Sequence, residues 1–111
     1  MLPRRERLST EEFMEVMKNG RVFHSPLFLM RAIQNASSTK FAAVASKKVA
    51  KTAVLRNKIQ RHIYISLQSL IKNVIPGTRA ILFPKEAALS KDKSVMTEEI
   101  QRLFVKAGII K

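Results

Sequence analysis

The side chains whose types and spacing suit chemistry lie in one short stretch: Lys47, Lys48, Lys51, Arg56, Asn57, Lys58 and Arg61. Six are cations, the seventh is an amide, and no carboxylate stands among them. Such a set donates hydrogen bonds and attracts negative charge, so its chemistry is the binding of phosphates. Groups that move protons or hold metals are sparse by comparison. His24 and His62 stand alone, without the Cys, His or carboxylate neighbours of a zinc or nucleophile site, and read as surface or edge residues. No acidic pair in the middle of the chain could hold a catalytic Mg²⁺, and glycines at 20, 77 and 108 are too scattered for a phosphate loop. If the protein serves catalysis, the reacting groups come from elsewhere.

The placement of charge supports this. The formal net charge is +13, yet none of the eight acids falls between Val16 and Lys85. Outside that stretch cations and acids balance, so the middle of the chain carries the whole excess. Segregation of this kind calls for a polyanionic partner, nucleic acid first and an anionic membrane surface second. There is no cysteine, no apolar run long enough to span a bilayer and no signal-like start, which together point to the cytoplasm.

The element that must position the cations is a helix beginning near Ala53. Ile59, Ile63, Leu67, Leu70 and Ile71 recur at helical spacing within an arc about 120° wide, the face expected to meet a core. With Arg56 set at zero, Asn57, Arg61, Lys72 and Lys58 project at about 100°, 140°, 160° and 200°, on the opposite face. Arg56 itself projects into the apolar arc and must lie beyond the core's edge or snorkel out of it. A helix start favours acids, and this one is crowded by cations, so intrinsic helix stability does not explain it. A polyanion docked there does, through the free N–H groups, the dipole and the side chains together. The alternative is a solvated basic face.

The flanking segments read as a compact α+β arrangement in the order α-β-β-(β)-α-β-α, a small central sheet sandwiched by helices. Ser9 to Glu12 has the form of a capping box, with Leu8 and Phe13 as a hydrophobic staple and Gly20 as a left-handed stop, giving a helix from about 10 to 18. Arg4, Arg5 and Arg7 precede it, either as an arm that touches a phosphate backbone or as a frayed, solvated terminus. Residues 21–34 suit a strand interrupted early by Pro26, with Phe28, Met30 and Ala32 on one face and Leu27, Leu29, Arg31 and Ile33 on the other. After a turn at 35–39, residues 40–46 form a second strand in a hairpin with the first. Pro76-Gly77 marks the turn after the long helix, and residues 79–83 form a third strand stopped by Pro84. A polar loop at 85–93 leads to a last helix capped by Ser94, with Met96, Ile100, Leu103, Phe104 and Ala107 inward and Gly108 at its end. The whole chain, 1–111, reads as a single RNA-binding domain.

The run SKKVAKTAVLRNKIQR resembles the protein subunit of bacterial ribonuclease P, whose members carry Ser-Lys-Lys-Val-Gly, then Arg-Asn-Arg and a further Arg. The matching positions are Ser46, Lys47, Lys48 and Val49, then Arg56, Asn57, Lys58 and Arg61. Arg7-Leu8, Glu12-Phe13, Gly20, Pro26-Leu27-Phe28 and the last-helix residues Leu103, Phe104, Lys106, Ala107 and Gly108 extend the likeness over nearly the whole chain. The chain departs from the pattern at Ala50 for Gly, an inserted residue near Lys51, Lys58 for Arg, Gln60 for Lys and Tyr64 where Arg is common. Lys cannot reproduce the bidentate fork of Arg, so a contact at Lys58 would be shaped differently.

The resemblance implies a ribonuclease P protein-like sandwich with a left-handed crossover into the basic helix. It implies two RNA partners: the catalytic ribonuclease P RNA, bound through Lys47, Lys48, Lys51, Arg56, Asn57, Lys58 and Arg61, and precursor tRNA. The 5′ leader of the latter would lie in a cleft lined by Phe13, Met17 and Arg31. Mg²⁺ would be held by the RNA and none by the protein, with no membrane or small-molecule partner. Met17 and Arg31 stand where aromatic residues are common, so there stacking would be weaker and a phosphate would be met instead. Phe13 reads either as a stacking platform or as a staple residue. Two other classes compete with this reading. A ribosomal or other structural RNA-binding protein would share the charge pattern without needing a cleft, and an independent nuclease would need clustered acids or histidines.

Overall fold

The structure is a computed structural model that describes residues 3–110; Met1, Leu2 and Lys111, the ends of the expected domain, lie outside the described residues. Helix α1 (Thr10–Asn19) is followed by strands β1 (Arg21–His24), β2 (Phe28–Ile33) and β3 (Lys40–Ala43), helix α2 (Ala53–Leu70), strand β4 (Arg79–Pro84) and helix α3 (Lys93–Ala107). The four strands form one sheet in the order β1-β2-β4-β3. β1 pairs antiparallel with β2 and β2 with β4, whereas β3 runs parallel to β4 and reaches it through α2.

Two strand expectations are corrected here. Pro26 does not interrupt one strand; it sits in the tight turn between β1 and β2, where Ser25 N–H donates to the Phe28 carbonyl at 2.8 Å and Ser25 Oγ accepts from Phe28 N–H at 3.1 Å. Nor do β2 and β3 form a hairpin, because β4 inserts between them. A strand buried on both sides by neighbours gives no local sign of which neighbours they are.

Alternation along the strands divides the sheet into two faces. Phe28, Met30, Ala32, Phe41, Ala43, Ala80 and Leu82 point toward α2 and α3 and join Ile59, Ile63, Leu67, Leu70, Met96, Ile100, Leu103 and Phe104 in the main core. Each large side chain fully buried there contributes about 1.5–3 kcal/mol. Phe41 and Phe104 stack with centroids 5.9 Å apart, tying β3 to α3. The expected apolar arc of α2 is the buried one, though Ile71 is only half-buried.

The other face carries α1, with Val16 and Ile81 fully buried outside the main core. The capping box forms as expected: Ser9 N–H donates to Glu12 at 2.7 Å and Glu12 N–H to Ser9 Oγ at 3.3 Å. Gly20 ends the helix, but in extended conformation (φ −71°) rather than left-handed. Its glycine is required by contact: a Cβ there would lie 2.4 Å from the Val16 carbonyl oxygen and 3.3 Å from Ala32 N. α3 is capped by Asp92 instead of Ser94, since the Asp92 carboxylate accepts from Val95 N–H at 3.0 Å and Ser94 Oγ donates to it at 2.8 Å. An anion serves the helix dipole better than a hydroxyl. Within the expected polar loop, Glu86–Ser90 coils into a single helical turn that buries Ala88.

Candidate nucleic-acid interface

The basic stretch leaves the sheet as β3 ends. A turn at residues 47–49 is held by Ser46, whose carbonyl accepts from Ala50 N–H at 2.9 Å and whose hydroxyl accepts from Val49 N–H at 3.3 Å. Thr52 then caps α2 by accepting from Leu55 N–H at 3.2 Å. This geometry leaves Lys47, Lys48, Lys51, Asn57, Lys58 and Arg61 exposed, with no acid in the first turn of the helix. Among the described residues none of these cations is ion-paired; the paired ones are Lys40, Arg79 and Arg102.

Arg56 behaves differently from its neighbours. It is half-buried and donates from Nη1 to the Ala50 carbonyl at 3.0 Å, so it clamps the basic turn onto the helix. This is the snorkelling arrangement that its position at the core's edge demands. Ala50 is itself fully buried. His62, half-buried on α2, has its pKa lowered, first by burial and then by Lys58, Lys93 and Arg61.

The cleft residues gather around α1, which crosses the sheet from β3 to β1. At its start Glu12 meets Lys40 at 2.9 Å and the buried Arg79 at 3.2 Å, with Glu15 3.9 Å from Arg79. Arg79 is held further by Ser37 and Ser38 hydroxyls at 3.2 and 3.0 Å. The Glu12 carboxyl is held down at about 2, first by the Ser9 backbone N–H and then by Lys40, against the opposing effect of burial. At the other end Arg31 Nη1 donates to the Met17 carbonyl at 3.2 Å, anchoring the last turn of α1 to β2.

Because Glu12 and Glu15 face the Arg79 end of the sheet, helical geometry turns Phe13 and Met17 toward the opposite end. There Leu29 and Phe83 are register partners, and Val44 continues β3 by donating to the Leu82 carbonyl at 3.0 Å. Leu29, Phe83, Val44, Phe13 and Met17 are all half-buried, so this strip is covered only in part. The parallel β3 and β4 both finish at this end, and so the basic turn at residues 47–49 leaves from it too. The structure thus brings the expected basic set and the expected cleft to one end of the sheet, with Arg31 committed to α1 more than to the open strip.

Several polar partners have no counterpart in the sequence pattern. Tyr64 is one: its hydroxyl accepts from Ala43 N–H at 3.2 Å, satisfying a donor on the free edge of β3. The Glu12–Lys40–Arg79 cluster is another, and a lone Arg opening an otherwise apolar strand is its only signal. Among the described residues no three of His, Cys, Asp and Glu converge as metal ligands. Among the same residues no helix is long and apolar enough to cross a membrane.

Comparison with known proteins decides the family. The family model described as Ribonuclease P matches residues 2–108. The chain belongs to the ribonuclease P protein family. It is 32% identical over 116 residues to the ribonuclease P protein component of Synechococcus elongatus, covering 98% of this chain and 95% of that one. To the corresponding protein of Rippkaea orientalis it is 28% identical over 116 residues, covering 98% and 91%. The fold is shared with the ribonuclease P protein of Staphylococcus aureus at a TM-score of 0.81 and 21% identity, over 96% of this chain and 98% of that one. The Thermotoga maritima protein gives a TM-score of 0.80 at 19% identity, over 92% and 97%. As a ribonuclease P protein, the chain has the part of a subunit in a ribonucleoprotein endoribonuclease of tRNA 5′ processing.

Proposed function

We propose that the exposed cations at the start of α2 dock the catalytic RNA of ribonuclease P, and that the half-covered strip beside α1 receives the 5′ leader of precursor tRNA. The observation that carries this is positional: the unpaired cations and the half-buried strip lie at one end of the sheet, so a strand leaving the RNA surface would pass along the strip. Lys47, Lys48, Lys51, Lys58 and Arg61 supply charge, Asn57 a hydrogen-bonding amide, and Arg56 holds the turn that presents them. Phe13 offers a ring for one unstacked base and Met17 an apolar wall. Arg31 places α1 over the sheet. Hydrolysis would be carried out by Mg²⁺ held by the RNA, with the protein strengthening substrate binding. The reading places the protein with its RNA in the cytoplasm and needs neither a membrane nor a small-molecule substrate.

The test is a titration of the reconstituted holoenzyme with precursor tRNAs of increasing leader length and with mature tRNA. Phe13→Ala should weaken binding of precursor by roughly 1–3 kcal/mol once the leader is long enough to reach the cleft, and leave mature tRNA unaffected. Arg31→Ala should lose less affinity and more thermal stability. An equal loss for precursor and mature tRNA would remove the leader-binding role.

A further inference from the structure

Beyond the α2 surface lies a second cationic groove. The chain before α1 runs along the free edge of β3: Arg7 forms a parallel bridge with Phe41, and Leu8 N–H donates to the Phe41 carbonyl at 3.1 Å. This pins a single helical turn, Arg4–Glu6, beside α2 and leaves an open groove of about 900 Å³ lined by Arg4, Arg5, Arg7, Lys40 and Tyr64 together with residues 8–10. A smaller cavity beside β1, at about 420 Å³, is lined by one cation and one acid. The groove has four cations and no acid in its lining.

Lys40 already meets Glu12 at 2.9 Å, and three observations show that the other donors are unspent. Among the described residues no carboxylate lies within ion-pair distance of Arg4, Arg5 or Arg7, although Glu6 is their neighbour in sequence. Arg7 Nε is buried without a hydrogen-bond partner. The Tyr64 hydroxyl accepts from Ala43 N–H, and among the described residues its own proton has no acceptor. An unmatched donor in a sheltered site is unfavourable until an acceptor reaches it, and an oxygen-rich anion supplies several at once. The backbone that carries the arginines is already fixed on β3, so little ordering opposes binding.

Tyr64 also joins this groove to the surface described above. Arg61 stands three residues before it on α2, a neighbouring position on the helix surface. A chain of phosphates lying on Asn57 and Arg61 would therefore pass Tyr64 and enter the groove. We propose that the Arg4–Arg5–Arg7–Lys40–Tyr64 groove is a second site for the phosphate backbone of the catalytic RNA, continuous with the basic face of α2. The inference rests on the reading that this face docks that RNA.

The experiment compares the intact chain with its Arg4→Gln/Arg5→Gln and Lys58→Ala variants, using ribonuclease P RNA transcribed from the same genome. Affinity is measured across a salt series, and hydroxyl-radical footprinting reads the protected backbone. The arginine variant should bind about five- to twentyfold more weakly, with a salt slope smaller by about 1.5–2 for two lost phosphate contacts. It should also lose one discrete patch of protection while keeping the patch that Lys58→Ala removes. Both arginines are exposed, so the melting temperature should not move. A salt slope that falls while the footprint stays whole would mean long-range attraction alone and would overturn the site. So would unchanged affinity in the arginine variant beside a clear loss in Lys58→Ala, which leaves the docking reading intact. Failure of the unaltered chain to bind the RNA would overturn both.

Discussion

The starts of α1 and α2 are built from the same local parts and charged in opposite ways. Each begins at a hydroxyl residue in extended conformation, Ser9 or Thr52, that accepts from an N–H three residues on. α1 follows with Glu11 and Glu12 in its first turn, while α2 has no acid there and cations on either side. The first arrangement satisfies the helix dipole from within the chain, and the second leaves it unsatisfied. α2 can tolerate this because its stability comes from burying Ile59, Ile63, Leu67 and Leu70 in the core. The comparison separates two uses of positive charge. Arg79 and Lys40 are consumed by Glu12 to fix α1 on the sheet, and the cations of α2 are held open for a partner.

The strongest way to break the comparison is to remove the acid that closes the α1 cluster. Glu12→Gln keeps the capping-box geometry but leaves Lys40 without its anion and Arg79 with only the more distant Glu15, at 3.9 Å. It should cost about 2–3 kcal/mol at neutral pH, measured by chemical denaturation. The pH dependence has a definite sign. A carboxyl held at about 2 against an ordinary 4.5 stabilises the fold fully above pH 4.5, and that contribution fades as pH falls toward 2. The variant should therefore lack that part of the acid-induced loss. An unchanged acid profile in Glu12→Gln would show that the cluster does not hold α1.

What the sequence discloses follows the reach of the interactions involved. The capping box, the apolar arc of α2 and the alternation of Phe28, Met30 and Ala32 are set by neighbours within one helical turn or one pleat, and the structure has them where periodicity puts them. The insertion of β4 between β2 and β3 depends on pairing between segments more than thirty residues apart, for which local pattern has no signal. Local grounds favour a left-handed Gly20, yet its reason for being glycine lies in Ala32 and the Val16 carbonyl. Among the candidate residues, exposure of Lys58 and Arg61 is readable from their angle on the helix. The commitment of Arg31 to the Met17 carbonyl and of Tyr64 to Ala43 N–H is not, because each bond crosses between elements.

A second test works on the open side of the comparison. Lys58→Ala and Arg61→Ala should each weaken binding to the catalytic RNA by about 1–2 kcal/mol and reduce the salt slope by nearly one. Neither should shift the melting temperature, because both side chains are exposed and unpaired among the described residues. Loss of stability with the affinity of the folded fraction unchanged would make them structural residues and would erase the distinction between the two helices.

The smallest expected effect is also the most direct, because it moves stability and affinity in opposite directions. Ala53, the first residue of α2, is exposed. Ala53→Glu gives this helix the acid that α1 already has, placing negative charge against its unsatisfied N–H groups and beside Lys51 and Arg56. The free protein should gain about 0.3–1 kcal/mol at low ionic strength, seen as a small rise in melting temperature that salt removes. The same carboxylate would face the phosphates of a docked RNA, so affinity should fall and the salt slope should shrink. If the variant gains stability and keeps its affinity, the start of α2 lies outside the RNA interface, and the missing acid there has no functional cause.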